Sequence, residues 1–153
     1  MVGWNHQMSK SASTKAIVWI CAGALVGYLV LHVGPAYFGG QEDPRSVKHL
    51  GKIADEINRS VPVMIDQETE LLPAVGAPGM LIYNYRLVSY SAAQLDAKKF
   101  ANGAQQRLKQ NACSNAETRD DFLKKGVTLR YSYYDKDKKH IATVDVTPAD
   151  CGF

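Results

Sequence analysis

The sequence predicts an α+β protein: a single transmembrane helix followed by one α-β-β-α-(α)-β-β domain, with a four-stranded antiparallel sheet and helices on one face. Three observations carry this reading. The run Ala16–Val33 contains no Asp, Glu, Lys or Arg. Beyond it, apolar residues recur at helical spacing and then at alternate positions, and this switch happens twice. Helices and strands that alternate in such blocks build sheets with a helical layer rather than a parallel doubly wound fold.

At about 1.5 Å per residue, the uncharged run nearly crosses a hydrocarbon core about 30 Å thick. Lys10 and Lys15 precede it, Gly34-Pro35 follows it, and no acid occurs before Glu42. A cleaved signal peptide would have a shorter apolar core and a small-x-small site. Only Gly34-Pro35-Ala36 offers such a site, with proline awkwardly placed, and Ile20-Cys21 does not suit a lipoprotein signal. The segments are therefore a cytoplasmic tail over 1–15, a membrane span over 16–34, a linker over 35–42 and an exported domain over 43–153. Arg45, Lys48 and Lys52 lie beyond the span, so charge alone does not orient it. The two cysteines of the domain, Cys113 and Cys151, can pair only in an oxidising compartment, and this tips the orientation towards export. Within the span, Gly23 and Gly27 form a GxxxG face that would let two helix backbones approach, in a partner helix or a second copy. Glycine is also simply common in membrane helices. Tyr37 and Phe38 suit the headgroup level, and Gly39-Gly40 make a short joint.

The domain opens with Asp43-Pro44, an N-cap acceptor followed by proline at the first helical position, so a helix is expected over 43–59. Its apolar face is Val47, Leu50, Ala54 and Ile57. Val61, Val63 and Ile65 alternate and predict a strand, with Pro62 placing it at an edge or a start. Gln67–Gly79 turns rich in Pro and Gly and is expected as a long loop. Met80–Tyr90 alternates strictly and predicts a strand, paired in a hairpin with the strand at 61–65. A helix is expected over 95–112, with Asp96 or the Ser91–Gln94 box at its start and Phe100, Ala104 and Leu108 on its inner face. Ser114 and Glu117 suggest a second short helix over 115–125, closed by Gly126. Strands at 127–134 and 140–146 flank the charged turn Asp135–Lys139.

The whole chain carries +3, but residues 42–153 hold all 15 Asp and Glu against all but two of the 18 Lys and Arg. That near-neutral domain gives no case for nucleic acid, which needs a concentrated basic face. No GxSxG, HExxH or CxxC is present, and His49 and His140 sit in no nucleophile or zinc motif. The expectation is no enzyme, no cofactor and no catalytic or metal-binding residue. Asp66, Glu68 and Glu70 alternate and could share one face of a strand, as a cation site would need, but a solvated strand edge explains them as well.

Binding residues are sought instead in the loop at 67–79. Glu68, Glu70, Leu71 and Leu72 mix charge with apolar side chains that have no obvious core position, and long loops in compact domains tend to be functional; the alternative is that Leu71 and Leu72 tuck under the sheet edge and the loop does nothing more. Tyr134, on the opposite face from Tyr131 and Tyr133, joins them as a candidate binding residue. Tyr83, Tyr85, Tyr131 and Tyr133 suit either cross-strand packing or a recognition surface. Cys113 ends the long helix and Cys151 follows the last strand, so a disulfide between them would staple the tail across the helix layer.

Residues 53–153 resemble a family of small exported or membrane-anchored bacterial proteins with an α-β-β-α-β-β domain and two cysteines. The matching positions are Ile57-Asn58, Pro62, Asp66, Thr69, Tyr83-Asn84-Tyr85, Cys113, Lys125-Gly126-Val127, Tyr131-Ser132-Tyr133 and Asp150-Cys151. The resemblance implies a bacterial inner membrane and a periplasmic domain, and no particular activity. The function expected is a membrane-tethered periplasmic interaction module, an accessory subunit of an envelope or secretion complex. The alternatives are an inhibitor or immunity protein against an envelope toxin, and a small periplasmic hydrolase.

Overall fold

A computed structural model describes residues 42–153. The expected tail at 1–15, span at 16–34, glycine pair Gly23 and Gly27, and most of the linker lie outside the described residues. None of the described helices is long and apolar enough to cross a membrane.

The elements are α1 (Val47–Asn58), β1 (Val63–Met64), β2 (Thr69–Ala77), β3 (Met80–Leu87), α2 (Ala97–Ser114), α3 (Ala116–Asp121), β4 (Thr128–Tyr134) and β5 (His140–Val146). Short 3-10 turns cover Ala92–Gln94, Leu123–Lys125 and Pro148–Cys151. The sheet has five strands in the order β1-β2-β3-β4-β5. It is mixed: β3 and β4 run parallel and every other pair runs antiparallel.

The expected four-stranded antiparallel sheet is corrected to a five-stranded mixed one, and the extra strand comes from two misreadings that share a cause. The stretch at 67–79 is a strand rather than a loop, and the hairpin partner of β3 is β2, not the short strand at Val63–Met64. The breakers in this stretch each have a local role that a strand tolerates. Pro73 falls at the irregularity between Leu72 and Val75, and its carbonyl accepts from Asn84 Nδ2 at 2.7 Å. Pro78 and Gly79 make the two-residue turn into β3, with Gly79 at φ +68°. Gly76 lies under α1, where a Cβ would meet the Leu50 carbonyl carbon at 2.3 Å. The antiparallel expectation fails because β3 and β4 are joined by α2 and α3, and a helical crossover returns the chain in the same direction.

Helix starts follow local chemistry closely. Ser46, not Asp43, caps α1, accepting from His49 N–H at 3.1 Å, while the Asp43 carbonyl takes the Ser46 N–H in the turn before it. Asp96 caps α2 through the N–H groups of Lys98 and Lys99. Asn115 caps α3. Gly126 closes the following turn at φ +82°.

α1 and α2 lie on the same side of the sheet. Leu50, Ala54 and Ile57 of α1 join Leu71, Ala74 and Leu81 in the core, and Ala112 of α2 joins Leu129, Tyr131 and Val146. Phe122 and Leu123 fill the end nearest the start of β4. A second cluster at the other end holds Leu87, Ile141 and Ala142, with Phe100 and Leu95 against it. The Cys113–Cys151 disulfide, with Cα atoms 5.4 Å apart, ties the end of α2 to the C-terminal turn.

Candidate functional site

The two long helices make no extensive contact with each other. α1 packs along β2, and α2 packs along β5. Three strand spacings separate β2 from β5, about 14 Å at roughly 4.8 Å each. Packed helices approach to about 8–10 Å. The gap left between them lies over β3 and β4, and side chains from those strands must fill it.

Tyrosines do so. Tyr83 stacks on Tyr131 with ring centroids 5.5 Å apart, and Tyr85 stacks on Tyr133 at 5.4 Å and on Tyr131 at 6.3 Å. Parallel pairing explains the ladder, because Tyr83 is in register with Tyr131 and Tyr85 with Tyr133. Phe100 of α2 closes one end with its edge to Tyr133 at 5.0 Å. Tyr83, Tyr85 and Tyr131 keep only 9 %, 8 % and 9 % of their surface exposed. Buried tyrosine hydroxyls ordinarily find a hydrogen-bond partner. Among the described residues, none of these four hydroxyls has a protein partner, and none is a fully buried atom, so the rings are covered while their polar tips reach solvent. Burial raises the pKa of all four, pushing Tyr133 up to about 12 and the other three higher. They remain neutral phenols, able to donate and accept, at any physiological pH.

The α2 wall of this cleft is under-packed for so long a helix. Of its 18 residues only Ala112 is buried. Phe100, Ala101, Ala104 and Leu108, the apolar stripe facing the sheet, stay half-buried. Arg107 and Asp66 lie near enough to Tyr133 to act on its charge in opposite senses. Tyrosine rings, a half-covered apolar stripe and unpartnered hydroxyls suit an apolar segment carrying a few polar groups.

The residues picked out in the sequence scatter over three places. Leu71 is core, 6 % exposed beneath α1. Its candidacy for a binding loop is corrected: the stretch is a strand, and Leu71 points to the helix side. Glu68 sits just before β2 and accepts from the Tyr90 hydroxyl at 3.1 Å. Glu70, Leu72 and Tyr134 come together on the helix-free face. There Glu70 is in register with Arg86, Arg86 with Tyr134, and Tyr134 with His140. Arg86 Nη2 approaches Glu70 Oε2 at 2.7 Å, yet that oxygen and Arg86 Nε have no aligned hydrogen-bond partner, so charge rather than directed bonding holds the pair. Tyr134 meets His140 edge-on at 5.7 Å. Arg130 and Asp145, also on this face, form a two-pronged pair at 2.8 and 2.7 Å. Its charges are thus mutually matched.

Asp66, Glu68 and Glu70 do not converge. Asp66 caps the turn into β2 through the N–H groups of Glu68 and Thr69, and the other two face Tyr90 and Arg86. The histidines are also apart, with His49 in the first turn of α1 and His140 opening β5. Sequence reasoning left the four tyrosines between cross-strand packing and a recognition surface, and missed the cleft. The signal that could have found it is the pair of Tyr-x-Tyr stretches on two strands joined by a helical crossover. That order makes the strands parallel neighbours and aligns the rings.

No family model matches the sequence, and no curated protein does. Solved structures do. A Pseudomonas aeruginosa protein described as secreted matches with TM-score 0.59 and 22 % identity, over 74 % of this chain and 98 % of that one. The type 2 secretion system pilotin EpsS of Vibrio vulnificus matches with TM-score 0.54 and 12 % identity, over 70 % and 92 %. The type II secretion pilotin AspS of Vibrio cholerae matches with TM-score 0.52 and 17 % identity, over 69 % and 91 %. The domain shares the fold of these proteins over nearly their full length.

Proposed function

We propose that the protein is a membrane-tethered, extracytoplasmic binding module, an accessory subunit of an envelope secretion complex, and that the cleft between α1 and α2 receives an apolar segment of its partner protein. The observation that carries the reading is the ladder of four stacked tyrosines between the two helices, their rings covered and their hydroxyl tips open to solvent. A bound segment would replace solvent at those hydroxyls and cover the half-buried stripe of α2. The disulfide supports an oxidising compartment. The fold shared with two pilotins supports a place beside a secretion machine. The uncharged run at 16–34 would hold the domain at the membrane through lipid contact, with Gly23 and Gly27 available for pairing with a partner helix or a second copy.

The test uses the full-length protein expressed in its native membranes. Tyr83→Phe with Tyr131→Phe removes two hydroxyls and keeps the rings. Ala104→Glu puts a charge on the α2 wall. Partners recovered in mild detergent are quantified by mass spectrometry. Both variants should fold with the wild-type melting profile and lose the same partner, recovery falling at least tenfold for Ala104→Glu. Unchanged recovery from both would overturn the cleft as the binding site.

A further inference from the structure

The two edges of the sheet are treated differently. At one edge β1 is only two residues long. Beyond it, the exposed side of β2 passes through Pro73, which has no N–H to offer, and Ala74, whose N–H and C=O are both held by the Asn58 side chain at 2.7 and 3.0 Å. Very short strands, proline and a covering side chain are the devices by which proteins blunt an edge against stray pairing. The other edge has none of these three, and its one irregularity is the register shift that leaves Ile141 without a partner on β4. β5 is seven residues long, HIATVDV, without proline, glycine, lysine or arginine. It is last in the sheet order, and every second residue of an edge strand turns its N–H and C=O outwards. Among the described residues, no strand pairs with that side. The helix-side chains of β5 are nonetheless closed off: Ala142, Val144 and Val146 keep 7 %, 4 % and 0 % exposure, because α2 lies directly over the strand. The edge is a covered strand with an open backbone.

We infer that the outer edge of β5 accepts one extended segment of a partner protein as a sixth strand. This surface is separate from the cleft, and the inference does not depend on it. A second copy does not fit. Antiparallel pairing of two β5 strands across a twofold axis would leave both α2 helices on the same side, above strands about 4.8 Å apart. Helices need about 8–10 Å between axes. The occupant is therefore a strand with no helix over it, joined through main-chain hydrogen bonds. Its neighbours on the helix-free face would be Thr143 and Asp145. Arg130 already neutralises Asp145, so a segment with neutral side chains fits there best.

The probe is a synthetic peptide of the sequence HIATVNV, which supplies a β5-like strand without its helix and with its one carboxylate replaced by a neutral amide. Hydrogen–deuterium exchange of the full-length protein in nanodiscs, resolved to single residues by electron-transfer fragmentation, reads the outcome. Without peptide, alternate amides of β5 should exchange at least tenfold faster than those of β4. Millimolar peptide should slow them at least tenfold and leave the β2 edge at Pro73–Ala77 unchanged. A peptide N-methylated at alternate residues on its pairing edge should give no protection. Equal protection by the N-methylated peptide, or none by the plain one, would overturn the inference. So would disulfide-linked dimers through β5 in a Thr143→Cys variant, which would assign the edge to a second copy.

Discussion

The Asn58 side chain grips the backbone of Ala74 in both directions, accepting its N–H at 2.7 Å and donating to its C=O at 3.0 Å. The amide does what a neighbouring strand would do, at the point where β2 outruns β1. It also pins the last turn of α1 to the sheet. Asn58→Ala leaves both main-chain groups of a buried residue unpaired. We expect a loss of about 2–3 kcal/mol in the free energy of unfolding, measured by chemical denaturation. Asn58→Asp keeps the acceptor and loses the donor, and should fall between the two.

Gly76 is required by the approach of α1. A Cβ there would meet the Leu50 carbonyl carbon at 2.3 Å and the Gly51 nitrogen at 2.4 Å, both of them backbone atoms. Gly76→Ala must move the helix. A cost of about 3 kcal/mol is expected, at the upper end for over-packing, against a near-neutral result for Gly103→Ala, whose Cβ would meet nothing. Thermal melts of the two variants make the comparison.

Asp135 joins three stretches of chain. Its carboxylate accepts from the N–H groups of Ala92 at 2.8 Å, Lys139 at 2.8 Å and Asp137 at 2.9 Å. These bonds, that from Ala92 above all, hold its pKa below the ordinary aspartate value. A folded-state pKa below the unfolded one adds stability above the unfolded value, about 3.9, and loses it as pH falls through the folded value. Melting temperature should therefore drop steeply below about pH 4. Asp135→Asn should melt lower at pH 7 and show a shallower acid limb. An acid limb unchanged by the substitution would show that Asp135 carries none of it.

The Cys113–Cys151 bond closes a separation of 38 residues. In the chain-entropy account that is worth about 4 kcal/mol. Denaturation of wild-type protein with and without reductant, beside the Cys113→Ser, Cys151→Ser double variant, should show a loss of this order. The reduced protein and the double variant should agree.

Much of the helical part was legible because helices are written locally. Asp96 and Gly126 act at the ends where capping chemistry puts them, whereas Asn115 rather than Ser114 caps the short helix. Ser46 stands in place of Asp43 as the cap because a turn closed by the Ser46 N–H on the Asp43 carbonyl precedes the helix and sets its start at Ser46. The sheet was legible strand by strand where alternation is clean, as at Met80–Leu87 and Thr128–Tyr134. It was misread at Thr69–Ala77, where proline and glycine answer to tertiary neighbours: Asn84, the β2–β3 turn and the backbone of Leu50. Strand order was equally hidden, since the adjacency of β3 and β4 depends on where the crossover helices pack. The candidate site followed from that adjacency. Glu70, Leu72 and Tyr134 proved to share a face, but the tyrosine cleft lies on the other side.

Site-specific photocrosslinking of the full-length protein in its own membranes tests the central claim most directly. A benzoylphenylalanine is placed at Ala104 in the cleft wall, at Leu72 on the helix-free face, or at Gln105 on the exposed side of α2. The account predicts one discrete protein adduct at Ala104, absent at Leu72 and Gln105, whose crosslinked peptide is an apolar segment of a single envelope protein. Adducts of equal yield at all three positions, or at Leu72 with none at Ala104, would contradict it.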